Sequence, residues 1–336
     1  MSQDPAALYA GTIVAVTGAS GYLGAALSAA LMRTRAHRLL LVSRRDPGDG
    51  LMTGPAAAVD AMIGDVREKT CWDEIVRRAD IVFHLAGNTS VSASVSDPAA
   101  SLASTVLPLT HLLAAAGEAR RAPRVVYGST ARVYGPVDRL PVCEDTEARP
   151  ATPFGRHTLH AERLLAAASH EGVVDAVSLR LGNVYGPSPC GSAVEERNVL
   201  NKMTRLAVRG DDLPLFGDGT YTRDYVFIDD VMRAFLLAGA TPGVAGQSLN
   251  VASGCGVSVR DAFHLIAERA AHATGRHSRV REVPWPDGET TLECSDFVAD
   301  VSRMKAVCGW TPDVSFRDGV DRLVHSIAYD VTRAGS

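Results

Sequence analysis

Three glycines, Gly18, Gly21 and Gly24, follow a β-branched run from Thr12 to Val16 and precede an Ala- and Leu-rich segment at helical spacing. Strand, tight glycine turn and helix in that order form a cradle for the pyrophosphate of a dinucleotide. Gly18 allows the sharp turn, Gly21 lets the backbone approach the phosphates, and Gly24 lets the helix lie close on the strand. The helix entrance, Ser20, Gly21, Tyr22 and Leu23, brings N–H donors and the positive end of the helix dipole to the same place. An acidic residue after the second strand would hold the ribose 2′-hydroxyl of NAD. Here Leu39-Leu-Leu-Val42 runs into Ser43, Arg44 and Arg45, and Asp46 comes late, in the loop. Guanidinium groups make paired, charge-assisted bonds to phosphate, so the expected cofactor is NADP(H). Asp65 and Val66, after a third strand, are expected to border the adenine. Leu85, Ala86 and Gly87, after a fourth, are expected beneath the nicotinamide ribose.

These residues need a sheet to hold them. Strand-like runs recur at Ala58–Ile63, Ile81–Leu85, Arg124–Tyr127 and Asp175–Arg180, with helical segments between. Apolar strands alternating with helices predict an α/β fold, a doubly wound parallel Rossmann sheet covered on both faces. The cofactor then lies across the carboxyl ends of the strands, at the switch point. Residues 1–186 are read as the dinucleotide-binding domain. After about residue 187 the alternation weakens and turn signals multiply, at Gly217-Asp-Gly219, Thr241-Pro-Gly243 and Pro284-Trp-Pro286. Residues 187–336 are read as a smaller, interleaved substrate-binding region, with one or more segments returning to the sheet. Ser43 to Pro55 reads as a Gly/Pro/Asp-rich loop.

The chain has 336 residues and a net charge of −4, which offers no electrostatic case for nucleic acid or an anionic membrane. Its six cysteines, 71, 143, 190, 255, 294 and 308, form no CxxC pair, so reduced thiols, no metal site and a cytoplasmic location are expected. No signal peptide and no span of about 20 apolar residues is apparent. Lysine occurs only at 69, 202 and 305.

Several further stretches bear a resemblance. They are Thr17-Gly-Ala-Ser-Gly-Tyr-Leu-Gly24, His84-Leu-Ala, Asp97-Pro98, Tyr127-Gly-Ser-Thr-Ala-Arg-Val-Tyr-Gly135, Leu179-Arg-Leu-Gly-Asn-Val-Tyr-Gly-Pro187, Phe216-Gly-Asp-Gly-Thr-Tyr-Thr-Arg-Asp224, Asp300-Val-Ser-Arg-Met304 and Gly309-Trp-Thr-Pro312. Over nearly its whole length the chain resembles the extended short-chain dehydrogenase/reductases, which include sugar-nucleotide epimerases and dehydratases. That family does its chemistry with a Ser or Thr plus a Tyr-x-x-x-Lys pair on one helix. The tyrosine gives or takes the proton; the lysine holds the ribose and lowers the tyrosine pKa. Here the segment reads Thr152-Pro-Phe-Gly-Arg-His-Thr-Leu-His-Ala-Glu162. Phe154 stands at the tyrosine position and Thr158 at the lysine position. The family's helical Asn is Thr105, and Pro108 disturbs that helix. Thr130, in the Ser/Thr position, remains as the catalytic candidate.

A missing general acid costs typically ~10²–10⁴-fold, and a substrate with its own phenol beside the ketone could supply the proton. The pattern is thus similar to that of atypical ketoreductases of aromatic polyketide pathways, the angucyclinone ketoreductases among them. It implies NADPH-dependent reduction of a ketone on a polycyclic aromatic substrate. The alternatives are a sugar-nucleotide epimerase/dehydratase-like enzyme, which Arg223 favours because relatives hold the nucleotide diphosphate with such an arginine, and a non-catalytic NADP-binding protein. Ser90, Ser129, Phe154 and Arg223 are the expected substrate contacts. Asn183 and Val184 are expected at the nicotinamide carboxamide. His84 and His157 read as packing or capping histidines, and Trp285, Trp310 and Met203 as core. Relatives dimerise through two helices of the first domain, so a homodimer is a further expectation.

Overall fold

The computed structural model describes residues 9–45, 58–87, 89–189, 198–285 and 294–334. Most of the Ser43–Pro55 stretch, together with Asn88, Cys190 and Pro286, lies outside them. The chain begins with β1 (Ile13–Thr17), α1 (Tyr22–Leu31), β2 (Arg38–Ser43), β3 (Ala58–Ile63), α2 (Lys69–Arg78) and β4 (Ile81–His84). It continues through α3 (Val91–Ser96), α4 (Pro98–Thr105), α5 (Leu107–Ala119), β5 (Arg124–Thr130), α6 (Pro153–His170), β6 (Asp175–Leu181) and β7 (Asn183–Tyr185). The strands sit where the apolar runs placed them, β3 with the same bounds and the others shifted by one to three residues at an end.

The second half holds α7 (Val199–Arg209), β8 (Leu213–Phe216), β9 (Thr222–Phe227), α8 (Ile228–Ala240), β10 (Ser248–Val251), β11 (Gly256–Ser258), α9 (Val259–Thr274), β12 (Val280–Val283), α10 (Ser302–Cys308) and α11 (Phe316–Ala334). Seven strands form one parallel sheet in the order β10-β6-β5-β4-β1-β2-β3. The order reverses between β1 and β4, which opens a crevice at their carboxyl ends. The sheet carries the doubly wound arrangement expected from the alternation. Its last strand, β10, comes from beyond residue 187 and completes the edge beside β6. Two small sheets, β11-β9-β7 and β12-β8, lie outside it.

Burial explains why the strands lack polar alternation. Helices cover both faces, so Val14, Val16, Leu39, Leu41 and Phe83 pack with Leu27, Leu31 and Phe235 on one side. Ala15, Leu40, Val82 and Val125 pack with Trp72, Leu109, Leu112 and Leu165 on the other. Trp310 is 1% exposed, its indole N–H donating to the Asp230 carbonyl at 2.9 Å, and Met203 is buried. Both are core residues.

Pro108 lies in the first turn of α5, where its missing N–H costs little, and the chain bends at Val106 between α4 and α5. By length and composition alone the 22-residue run Pro98–Ala119 is long and apolar enough to cross a membrane, contrary to the sequence expectation. The run is broken at Val106, α5 packs against α2 and α6, and α4 packs against α6.

Candidate cofactor and substrate site

The glycine turn is built by backbone contact. Gly18 has φ +72°, and a Cβ there would lie 2.8 Å from the Ala86 nitrogen and 2.9 Å from the Leu85 carbonyl. A Cβ on Gly24 would lie 2.0 Å from the Gly18 carbonyl oxygen. Gly21 is the N-cap of α1 in an extended conformation (φ −83°), so left-handed strain does not select it. A Cβ there would meet only the Gly18 oxygen, at 3.1 Å, and would otherwise fill the space above the helix entrance. Ser20, Tyr22 and Leu23 are half-buried around that entrance. The Tyr22 hydroxyl donates to the Gly186 carbonyl at 2.8 Å, and the Ser188 hydroxyl to the Tyr22 carbonyl at 3.1 Å. These bonds join the glycine turn to the segment after β7. The cradle that a Cβ would fill fits a dinucleotide pyrophosphate.

At the end of β2, Ser43 is buried and its hydroxyl donates to the Arg45 carbonyl, which shapes the turn. Arg44 and Arg45 are exposed. Asp65 is held by Arg67 through the Arg67 amide at 2.9 Å and the guanidinium at 2.6 Å. Arg67, with a smaller contribution from Arg44, keeps its carboxyl below the usual range. Val66 is half-buried and its carbonyl accepts from the Trp72 indole at 2.7 Å. Leu85 and Ala86 are half-buried and Gly87 exposed at the rim of the crevice.

β1 and β4 are joined below that rim. Thr17 Oγ1 lies 2.7 Å from His84 Nδ1 and accepts from the Leu85 and Ala86 amides at 3.2 and 3.3 Å. Burial pushes the His84 pKa down to about 4. The fold therefore holds a neutral imidazole that the unfolded chain protonates near pH 6.5. Below that pH the unfolded state binds more protons, so stability falls as pH drops from about 6.5 to about 4, by roughly 3 kcal/mol from this group. Urea titrations at pH 7 and pH 4.5 are expected to show that slope in the parent and to lose it in His84→Asn.

β5 and α6 divide the expected catalytic residues between two places. Period-two alternation sends Val125, Tyr127 and Ser129 to the α6 face, and Val126, Gly128 and Thr130 to the other. Thr130 is half-buried at the strand end and accepts from the Arg132 amide at 3.3 Å. Ser129, expected as a substrate contact, is 4% exposed, and its hydroxyl donates to Glu162 beneath α6. That correction follows from the alternation: one residue earlier on the strand is the opposite face.

Glu162 in turn pairs with Arg180 at 2.7 Å, both nearly inaccessible, and Arg180 lies 4.8 Å over the Tyr134 ring. Neither residue was singled out from the sequence. An arginine between two leucines near the end of β6 was the available signal.

Phe154 is half-buried in the first turn of α6, and its amide donates to Ser94 of α3 at 3.1 Å. Thr158, 2% exposed, donates to the Phe154 carbonyl at 2.9 Å and presents no charge to the crevice. Thr105 is buried, its hydroxyl without a hydrogen-bond partner among the described residues. His157 Nδ1 lies 3.0 Å from Ser101 Oγ, a packing role. Ser90 caps α3, accepting from the Ala93 amide at 3.1 Å.

Asn183 and Val184 are half-buried on β7, paired with Tyr225 and Val226 of β9. The Val184 carbonyl accepts from Asn198. Arg223, 7% exposed on β9, donates to the Ser295 carbonyl and stacks 4.7 Å over the Tyr221 ring. Its neighbour Asp224 is buried and accepts from the amides of Ser253, Gly254 and Ala299 at 2.7, 3.0 and 3.1 Å, anchoring the surrounding loops. Trp285 packs on Phe216. No group of three metal-ligating side chains occurs among the described residues.

A family model described as the NAD dependent epimerase/dehydratase family matches residues 14–252. The chain belongs to the NAD-dependent epimerase/dehydratase family. The UDP-glucose 4-epimerase of Mycolicibacterium smegmatis is 30% identical over 322 residues, covering 92% of this chain and 96% of that one. The crystal structure of the UDP-glucose 4-epimerase of Thermotoga maritima with UDP-glucose superposes with a TM-score of 0.82 at 27% identity, covering 96% and 99%. The structure of MoeE5 in complex with UDP-glucose and NAD gives a TM-score of 0.80 at 28% identity, covering 96% and 99%. These findings overturn the expectation of a polyketide ketoreductase with an aromatic ketone substrate. The epimerase/dehydratase relatives are named for nucleotide sugars, and whole-length similarity to them outweighs an inference made from two missing side chains. The absent tyrosine and lysine are a departure of this chain from its family's pattern.

Proposed function

We propose that this protein binds a nicotinamide dinucleotide together with a nucleoside-diphosphate sugar and modifies the sugar by hydride transfer. The observation that carries this reading is Arg223, retained where the resemblance places the diphosphate-holding arginine, on a chain that matches UDP-glucose 4-epimerases end to end. When bound, the nicotinamide supplies a hydride acceptor and donor for a sugar carbon. Thr130 orients the reacting hydroxyl by hydrogen bonding. Phe154 offers apolar surface and no proton, so proton exchange falls to solvent, and turnover is expected about 10²–10⁴-fold below that of a tyrosine-bearing site.

The test is incubation with NAD(P) and a panel of UDP- and dTDP-sugars, following absorbance of reduced nicotinamide and products by chromatography. Phe154→Tyr with Thr158→Lys is expected to raise turnover at least tenfold. Tight binding of both ligands with no turnover by either protein would favour the second reading, a non-catalytic nucleotide-binding protein, for which Phe154 and Thr158 speak.

NADP(H) is the proposed form of the cofactor, from the exposed Arg44 and Arg45 at the end of β2. Losing one charge-assisted bond costs roughly 1.5–3 kcal/mol. Arg44→Ala is expected to weaken NADPH by that amount in calorimetry and leave NADH unchanged. Equal loss for both cofactors would remove the arginine from the 2′-phosphate.

A further inference from the structure

His84 is a fully enclosed histidine that none of the proposed chemistry uses. Its strand neighbours in register are Thr17 of β1 and Tyr127 of β5. The imidazole stacks on Tyr127 at 5.9 Å and meets Trp72 edgewise at 5.3 Å. Its Nδ1 faces the Thr17 hydroxyl, and its Nε2 is buried with no partner among the described residues.

The hydrogen bonds around the Thr17 hydroxyl favour one tautomer. Thr17 Oγ1 accepts from the Ala86 amide at 3.3 Å and shares the Leu85 amide, at 3.2 Å, with the Thr17 backbone carbonyl. With both amides directed at the oxygen, the hydroxyl hydrogen is placed to go to His84 Nδ1 at 2.7 Å; in that arrangement Nδ1 accepts and Nε2 carries the proton. In that arrangement the N–H stands between Trp72 and Tyr127 with no oxygen to receive it among the described residues. A buried donor left unpaired is costly and calls for a reason. A flat, neutral ring with its acceptor on the Thr17 side keeps the hydroxyl pointing inward. Both oxygen lone pairs are thereby left for the two amides. Those amides belong to the turn that Gly18 touches, with a Cβ there only 2.8 Å from the Ala86 nitrogen.

We propose that His84 is a positioning residue for the cofactor crevice. Locked as the Nε2–H tautomer by Trp72 and Tyr127, it orients the Thr17 hydroxyl, which pins the Leu85–Ala86 turn against the glycine turn and sets the floor on which the nicotinamide ribose rests. This rests on the dinucleotide reading of the site.

Three variants of the full chain test it. His84→Phe keeps the ring stack and removes the acceptor. His84→Asn returns an acceptor near the Nδ1 position. Thr17→Val removes the hydroxyl at constant shape. Two readouts are taken: affinity for NADPH and NADH by calorimetry, and hydrogen exchange of the Leu85 and Ala86 amides without cofactor. His84→Phe and Thr17→Val are expected to weaken both cofactors about tenfold and to speed exchange of the two amides at least tenfold. His84→Asn is expected to recover most of both effects even though its thermal stability stays low. Exchange and affinity that track melting temperature across all three variants would overturn the proposal, as would unchanged exchange in His84→Phe. Absence of cofactor binding by the parent chain would count against the dinucleotide reading and leave the exchange result to decide the role of His84.

Discussion

Gly24→Ala is expected to abolish dinucleotide binding, with at least a hundredfold loss of affinity for NADPH and NADH alike. The added carbon would lie 2.0 Å from the Gly18 carbonyl oxygen, 2.7 Å from its carbon and 3.0 Å from Ala19 Cα. All three are backbone atoms, so no rotamer change relieves the overlap. Either α1 moves off β1 or the turn at Gly18 opens. Both displace the helix N-terminus from the place where phosphates would meet it. Overpacking of this kind costs about 1–3 kcal/mol when side chains can yield, and a backbone clash belongs at or above the upper end. The measurements are calorimetric titration with both cofactors and a urea melt. An affinity within fivefold of the parent in a folded variant would show that the pyrophosphate does not rest on this turn.

Arg180→Leu is expected to be the most destabilising single change under α6, at about 3–5 kcal/mol. It leaves the Glu162 carboxylate, whose side chain is 3% exposed, with the Ser129 and Ser248 hydroxyls as its remaining partners among the described residues. An uncompensated buried charge is far costlier than the pair was favourable. The double variant Arg180→Leu with Glu162→Leu is accordingly expected to recover most of the loss, because two apolar side chains replace two desolvated charges. Equilibrium urea denaturation of the four proteins in the cycle gives the answer. A double variant as unstable as Arg180→Leu would mean that lost packing against Tyr134, and not the stranded carboxylate, sets the cost.

Much of this molecule follows from local pattern. The apolar runs of β1, β2, β4, β5 and β6 and the glycines at 18, 21 and 24 are properties of contiguous sequence. Period, length and punctuation there decide strand, turn and helix before any tertiary contact exists. The same holds for the arginines after β2 and for the missing tyrosine and lysine, which are plain absences in a recognisable frame.

Other features were decided only when distant segments met. β10 is a strand of only four residues, too short for its alternation to stand out from neighbouring turns, and its place at the sheet edge depends on pairing with β6. Ser129 and Thr130 are adjacent hydroxyls in the sequence, and only the facing of the strand assigns one to Glu162 and leaves the other at the site. The polyketide reading failed for a related reason. Two substitutions report what chemistry a site lacks, whereas substrate class is written in the whole surface that holds the ligand. Thr17 and His84 lie 67 residues apart and meet because β1 and β4 are neighbours at the switch point. Whether a histidine in an apolar strand is filler or support turns on what faces each of its ring nitrogens. Tertiary structure alone supplies that information, because a hydrogen-bond partner is a matter of position and not of composition.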